Sequence, residues 1–239
     1  MIRLDKYIAD AAGLTRSEAG KAIRSGAVAV DGTVLRKPER KIDEAAAAVS
    51  LNGMPCDWRR FRYYLLDKPA GLITASRDRT RETVLDLFPP EIRKTDIAPV
   101  GRLDKDTSGL LLLTNDGEFA HRVISPKYEV PKVYRAAVEH PLEPEDPERF
   151  RSGLVLADGT ACLPAELEIL DACECLVTVR EGKYHQVRRM LASVGKPVLT
   201  LRRLSVGPLR VEPGPGPGRW RELTEEELCM MFKLLGMEK

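Results

Sequence analysis

Two aspartates stand directly before an apolar run in the stretch 99–109, PVGRLDKDTSG, and these carboxylates have the clearest capacity for chemistry. Asp104 and Asp106 precede Leu110–Leu113, which has the composition of a buried strand. A carboxylate at the mouth of a buried strand either fixes a turn through its own backbone or serves as a reactive group in a pocket. Taken alone, the turn-forming interpretation is the more ordinary one.

Two sharper interpretations of this stretch need testing against its surroundings. Asp104, Asp106 and Ser108 match the first half of an EF-hand loop, but position twelve is Asn115, where calcium requires a bidentate Glu, so we exclude calcium. Asp104-Lys105-Asp106-Thr107 is also similar to the D-x-D-x-T motif of haloacid-dehalogenase-type phosphatases. In those enzymes the apolar strand comes before the motif, whereas here it follows. A phosphatase therefore stays open as a minority alternative.

A tyrosine in the stretch KVYRAAV is a candidate to line a pocket. The period of two in a strand places Tyr134 on the same face as Ala136 and Val138. Such a tyrosine is usually part of the core, but it can also form the floor of a pocket and stack on a base.

Two consecutive arginines lie in the helical pattern GKYHQVRRML. Its apolar stripe places Arg188 on the flank of the buried face, from which it can reach inward, and Arg189 near the opposite face. For Arg189 a solvated charge and a phosphate contact are equally open, and His185 is interpreted as a polar residue at the helix end.

Several classes of function lack support in the sequence. The chain contains no G-x-x-x-x-G-K-[ST], G-x-G-x-x-G or H-E-x-x-H motif, so we expect neither a cofactor nor a metal. Five cysteines without a C-x-x-C pair indicate a reducing cytoplasm. No apolar stretch approaches the roughly 18 residues of a membrane helix, and the charged N-terminus is unlike a secretory signal.

The charge is distributed unevenly, although the formal net charge is only +2. Residues 1–60 contain 11 basic and 8 acidic residues, and residues 180–210 contain eight Lys or Arg and one acid, Glu181. The first segment is predicted to form a helix ending near Gly13, a helix capped by Thr15 and ended by Gly26, and a small sheet with a turn at Asp31-Gly32. The linker is predicted at 57–60.

From residue 61 onward, strand patterns outnumber helical ones and short turns join them, which predicts a mainly antiparallel α+β domain. The predicted strands are Tyr63–Leu66, Gly109–Thr114, Lys132–Val138, Leu154–Leu156, Cys175–Val179 and Val198–Leu204. The predicted helices are Arg81–Phe88, Glu118–Ile124, Tyr184–Val194 and Glu225–Leu235.

These motifs, in this order, resemble the RsuA-type ribosomal RNA pseudouridine synthases over nearly the whole chain. The beginning, with RLDK at 3–6, TRS at 15–17 and VDG at 30–32, is similar to an S4 RNA-binding domain. KPAG at 68–71, GRLD at 101–104, KVY at 132–134 and GKYHQVRRM at 182–190 are similar to successive motifs of the family. The resemblance implies an S4-like domain at 1–57 and a mainly antiparallel synthase domain at 58–239.

The resemblance also implies the reaction and its residues. Uridine in RNA is isomerised without a cofactor: the N-glycosidic bond is broken, the uracil turns, and its C5 is joined to C1′. Asp104 is the implied catalytic aspartate, Tyr134 the aromatic residue that stacks on the base, and Arg188 the basic partner of the aspartate. The residues expected to contact RNA are Arg3, Lys6, Arg16 and Arg24 in the first domain and Arg102, Lys183 and Arg189 in the second.

The expected substrate is 16S rRNA, in a small-subunit assembly particle, and the enzyme is expected to be a cytoplasmic monomer. A 23S rRNA synthase of the same family is one alternative. A non-catalytic S4-type RNA-binding protein of ribosome assembly is another, although pure binding does not require Asp104, Tyr134 and Arg188 together.

Overall fold

The computed structural model describes residues 1–56, 58–211 and 216–238, and the chain divides into two compact units. One unit comprises Met1–Arg62 and Phe88–Ile97, and the other comprises Tyr63–Leu87 and Ala98–Lys239. The predicted linker begins at Asp57, which lies outside the described residues. No helix in the described residues has the length and apolar character needed to cross a membrane.

The N-terminal unit begins with two short helices whose ends are set by local sequence. In α1 (Leu4–Ala12) and α2 (Arg16–Ser25), Gly13 and Gly26 adopt the left-handed conformation that ends each helix. Thr15 and Glu18 form a reciprocal capping box at the start of α2, which stabilises it by about 1 kcal/mol. The strands of this unit are β1 (Ile2–Arg3), β2 (Val28–Val30), β3 (Thr33–Val34), β4 (Lys41–Ile42), β5 (Val49–Leu51) and β6 (Met54–Pro55).

The segment 88–97, which contains α3 (Pro90–Arg93), packs within the N-terminal unit although it follows the start of the second unit in sequence. Lys94 Nζ donates a hydrogen bond to the main-chain oxygen of Gly13 at 3.1 Å. Glu91 lies so close to Gly13 that an added Cβ there would approach the Glu91 Cβ to 2.7 Å. The predicted domains, 1–57 and 58–239, are continuous in sequence, so they do not include this segment in the N-terminal unit.

The second unit contains the remaining strands and helices. Its strands are β7 (Tyr63–Lys68), β8 (Ala98–Pro99), β9 (Thr107–Thr114), β10 (Lys132–Val138), β11 (Glu166–Asp171), β12 (Glu174–Val179), β13 (Val198–Val206), β14 (Leu209–Arg210) and β15 (Trp220–Glu222). Its helices are α4 (Gly117–Ile124), α5 (Asp146–Arg151), α6 (Gln186–Ser193) and α7 (Glu225–Leu235). The predicted bounds of β10 and α7 are confirmed, and Thr224 and Glu227 form the second capping box.

A large sheet holds this unit together, and the described residues give it nine strands. Seven follow the order β11-β12-β10-β13-β9-β7-β15, with β14 paired to β13 and β8 to β9. The pairs are antiparallel except for β13 with β9, so the predicted α+β class with a mainly antiparallel sheet is confirmed. One apolar cluster packs Phe119 of α4 with Met231 of α7, and another packs Phe150 of α5 with Met190 of α6.

Gly109 permits the close parallel pairing of β9 with β13, where it lies opposite Arg203. Its φ is +103°, and an added Cβ would lie 2.2 Å from the main-chain oxygen of Arg203. No other residue type avoids both the strained backbone and this collision.

Two predicted elements are wrong. In place of a helix over Arg81–Phe88, the structure has a single 3₁₀ turn, Val84–Leu87, because Thr83 pairs with Ile73 and the prolines at 89–90 disfavour helix in the residue before them. The predicted strand Leu154–Leu156 is reduced to an isolated bridge between Val155 and Ala161, while the strand β11 was not predicted.

Candidate active site

The loop that carries Asp104 is held by its main chain. Thr74 Oγ1 donates to the main-chain oxygen of Leu103 at 2.7 Å and accepts from the Leu103 N–H at 3.2 Å. Thr107 N–H donates to the Asp104 main-chain oxygen at 3.1 Å. The carboxylate of Asp104 takes no part in these bonds, and 32% of its side chain is exposed. The turn-forming interpretation therefore does not account for this side chain.

Lys68 lies beneath the same loop and is completely buried at the end of β7. Its Nζ donates to the main-chain oxygens of Pro69, Asp104, Lys105 and Thr107 at 3.0, 3.2, 3.1 and 2.9 Å. Burial lowers the pKa of Lys68 to about 8, although the negative charges of Asp106 and Asp104 oppose this shift. Lys68 thus fixes the backbone of the loop that carries Asp104 while leaving the Asp104 carboxylate available.

A cavity of about 830 Å³ opens beside this loop, and both Asp104 and Tyr134 line it. Tyr134 is half-buried on β10, opposite Arg203 of β13. Arg203 Nη1 donates to the Tyr134 hydroxyl at 3.3 Å, and the guanidinium carbon lies 5.9 Å from the centre of the tyrosine ring. The cavity is large enough for a pyrimidine nucleotide and combines an aromatic face with a carboxylate.

A second buried lysine, Lys132, lines the cavity two residues before Tyr134. Its Nζ donates to the main-chain oxygen of Val130 at 2.9 Å. Burial, and then the positive charge of Arg203, lower the pKa of Lys132 to about 8. The inner wall of the cavity is therefore rich in cationic side chains.

His185 contacts the carboxylate of Asp104. Its Nε2 lies 3.3 Å from Asp104 Oδ1. His185 immediately precedes α6 and has a φ of +49°, in the left-handed region. The prediction of a polar helix-end residue gave its position and missed this contact.

The expected ion pair between Arg188 and Asp104 is not formed among the described residues. Arg188 instead donates to the main-chain oxygen of Asp106 at 3.3 Å and to that of Val198 at 3.5 Å. Helix phase predicts that Arg188 reaches inward, and its guanidinium contacts the backbone of the loop that carries Asp104, two residues beyond that aspartate. The catalytic role of Arg188 stays a prediction.

Two other predicted RNA contacts in this unit are engaged by acidic partners. Arg189 Nη2 lies 2.5 Å from Asp158 Oδ2, and Lys183 pairs with the buried carboxylate of Glu181. Arg102 is exposed at the cavity.

In the N-terminal unit, Arg3 and Arg16 converge on Asp5. Arg3 donates two hydrogen bonds to its carboxylate, at 3.1 and 2.7 Å, and Arg16 donates one at 2.8 Å. Burial raises the pKa of Asp5, but the hydrogen bonds from the two arginines outweigh it and bring the pKa below its usual value. About half of each arginine side chain remains exposed. Lys6 and Arg24 are also exposed on this unit.

Lys68, Lys132 and Arg203 have no individual role predicted from the sequence. A signal existed for Arg203, because the period of two along β13 places it on the same face as Leu201, which also lines the cavity. For Lys68 no local signal existed, since a lysine that ends a strand is ordinarily solvated.

Two family models match this chain. The family model described as RNA pseudouridylate synthase matches residues 62–193, and the S4 domain model matches residues 2–46. The chain belongs to the RNA pseudouridylate synthase family. The predicted family and the N-terminal S4 domain are confirmed, so the phosphatase and the non-catalytic binding protein are set aside.

Individual relatives of this pseudouridine synthase match almost end to end. "Ribosomal small subunit pseudouridine synthase A" of Vibrio cholerae is 39% identical over 97% of this chain and 100% of its own length. "Uncharacterized RNA pseudouridine synthase YtzG" of Bacillus subtilis is 40% identical over 96% of this chain and 98% of its own length. A solved structure described as a pseudouridylate synthase has a TM-score of 0.68 and 34% identity, covering 97% of this chain and 100% of that one.

Proposed function

We propose that this pseudouridine synthase converts one specific uridine of 16S ribosomal RNA to pseudouridine. The observation that carries the proposal is the cavity shared by Asp104 and Tyr134 in a chain similar over its full length to relatives named for the small ribosomal subunit. The proposed substrate form is a small-subunit assembly particle in the cytoplasm. One chain provides every group that the proposed site uses, so the enzyme is proposed to act as a monomer.

Asp104 is proposed as the catalytic aspartate. As the glycosidic bond between N1 and C1′ breaks, C1′ becomes electron-poor and the uracil takes the bonding pair. A carboxylate next to C1′ stabilises this centre, as carboxylates do beside glycosidic bonds in glycosidases. The uracil then turns, C5 forms the new bond to C1′, C5 loses its proton, and N1 gains one.

Tyr134 is proposed to stack on the uracil while it is detached from the sugar. Its half-buried ring on the cavity wall supports this role, because base–aromatic stacking tolerates rotation of the base in its own plane. Arg188 is proposed to act on the catalytic loop through the Asp106 carbonyl to which it donates. No cofactor or metal enters the scheme.

RNA is proposed to reach the site through the basic residues of both units. The target base must leave its helix or loop, which costs a few kcal/mol, and stacking and phosphate contacts offset that cost. Arg102 is proposed to hold the displaced backbone or fill the vacated position. Arg3, Lys6, Arg16 and Arg24 are proposed to bind rRNA phosphates, and Lys183 and Arg189 to do so by exchanging their acidic partners for phosphate.

Carbodiimide-dependent primer extension on rRNA from cells with and without the gene tests the substrate. We expect one stop in 16S rRNA to disappear and to return with a plasmid copy. In vitro, the purified enzyme should release tritium from 5-tritiated uridine in 16S rRNA or in small-subunit particles without an added cofactor. A stop lost in 23S rRNA, with 16S rRNA unchanged, would overturn the choice of substrate.

A further inference from the structure

Arg203 on β13 is a buried cation, and its surroundings are unusual for an arginine. Its residue is 4% exposed, and within the described ranges no carboxylate lies at ion-pairing distance from it. The preceding residue, Arg202, shows the contrast, since it forms two hydrogen bonds of 2.9 Å with the carboxylate of Asp67. Burying an arginine without an acid is costly, so such a residue calls for a function.

The hydrogen bonds of Arg203 fix its guanidinium against the active site. Nε donates to the main-chain oxygen of Leu110 at 2.7 Å, on the strand that follows Asp104. Nη1 donates to the Tyr134 hydroxyl at 3.3 Å. The arginine therefore links the strand of the catalytic aspartate to the strand of the pocket tyrosine.

The direction of the bond to Tyr134 is fixed by chemistry. A guanidinium has only donors, so the phenolic oxygen must accept. The proton of the tyrosine hydroxyl then has to point away from Arg203, and both side chains line the cavity that would hold the base. A neutral partner such as a serine or an amide would leave the direction of this proton undetermined.

We propose that Arg203 is a positioning residue that makes the Tyr134 hydroxyl a directed hydrogen-bond donor to a carbonyl oxygen of the bound uracil. This inference rests on the proposed function, in which Tyr134 faces the base. As the base leaves C1′ with the bonding pair, negative charge grows on its carbonyl oxygens. A donor aimed there stabilises the transition state more than the bound uridine, so the effect falls on kcat.

A double-mutant cycle between R203K and Y134F tests the inference. Lysine keeps the positive charge but cannot reach both Leu110 and Tyr134 with a single head group. We expect R203K to lower kcat for tritium release by about tenfold or more with KM little changed, as for loss of one hydrogen bond from a charged donor. In the Y134F background the same change should lower kcat by less than about twofold, because the hydroxyl is already absent. R203Q is measured alongside, so that the cycle does not depend on one variant folding.

R202K is the matched control, because it changes the neighbouring arginine on the same strand and weakens the pair with Asp67. We expect its effect on kcat to be the same in the Tyr134 and Y134F backgrounds. Equal losses from R203K in both backgrounds, or a Y134F enzyme with wild-type kcat, would overturn the inference. A wild-type enzyme that released no tritium from any rRNA would instead contradict the proposed function, and the inference with it.

Discussion

Asp104→Asn separates a catalytic aspartate from a turn-forming one, and the structure gives the size of both effects. The main chain of the loop accepts hydrogen bonds from Lys68 Nζ, Thr74 Oγ1 and the Thr107 N–H, and none of them involves the Asp104 side chain. The side-chain contact at risk is the one with His185, and a partly exposed pair contributes at most about 1 kcal/mol. We therefore expect the free energy of unfolding to change by less than about 1 kcal/mol.

The same substitution should abolish catalysis. An amide provides neither the negative charge nor the nucleophilicity that C1′ requires, and loss of such a group typically lowers the rate by about 10⁴-fold or more. Tritium release at saturating RNA measures the rate, and urea unfolding measures the stability. Asp106→Asn is the matched control: Asp106 is exposed and contributes its main-chain oxygen to Arg188, so this variant should remain active. A folded D104N enzyme with tritium release near that of the wild type would refute the mechanism.

Gly109→Ala should lower the free energy of unfolding, measured in urea, by more than about 3 kcal/mol, because the added Cβ collides with the Arg203 backbone. Gly159 has a φ of +82° but open space around it, so Gly159→Ala should lower the free energy of unfolding by only about 1–2 kcal/mol. Comparable losses in the two variants would contradict the close-approach argument. Lys132→Met should show a pH signature: the pKa of Lys132 is lowered in the folded state, so below about pH 8 the wild type carries the full cost of a buried ammonium. Between pH 8 and 10.5 the unfolded wild type binds more protons than the folded one, so its free energy of unfolding should rise by about 3 kcal/mol relative to that of the variant, as measured by urea titration. A difference in free energy of unfolding that does not change with pH would refute the lowered pKa of Lys132. Arg16→Ala should weaken rRNA binding and reduce the slope of log affinity against log salt by about 0.7 to 0.9 with kcat unchanged; an unaltered slope would remove it from the RNA contacts.

Local sequence determined the limits of those helices whose ends are set by capping interactions between residues close in sequence. The capping boxes at Thr15 and Thr224 and the glycines after α1, α2 and α7 act within one helical turn, so the helix limits could be predicted without knowledge of the rest of the fold. Alternation of apolar residues likewise predicted β10 over Lys132–Val138 and the inward direction of Tyr134. The Asp104 motif before an apolar strand was equally visible.

The tertiary structure decided the contacts that join distant segments. Lys68 binds carbonyl groups up to 39 residues away, and Arg203 meets Tyr134 and Leu110 across 69 and 93 residues. Strand order and register decide whether a cation is buried and which acceptor its donors meet. The few residues on either side of the cation in sequence do not determine strand order or register. For the same reason the contact of His185 with Asp104 was not predicted, and Asp104 does not have the Arg188 partner that the family resemblance implied. Periodicity fixes the face on which a side chain lies, and only the assembled sheet fixes what it meets there.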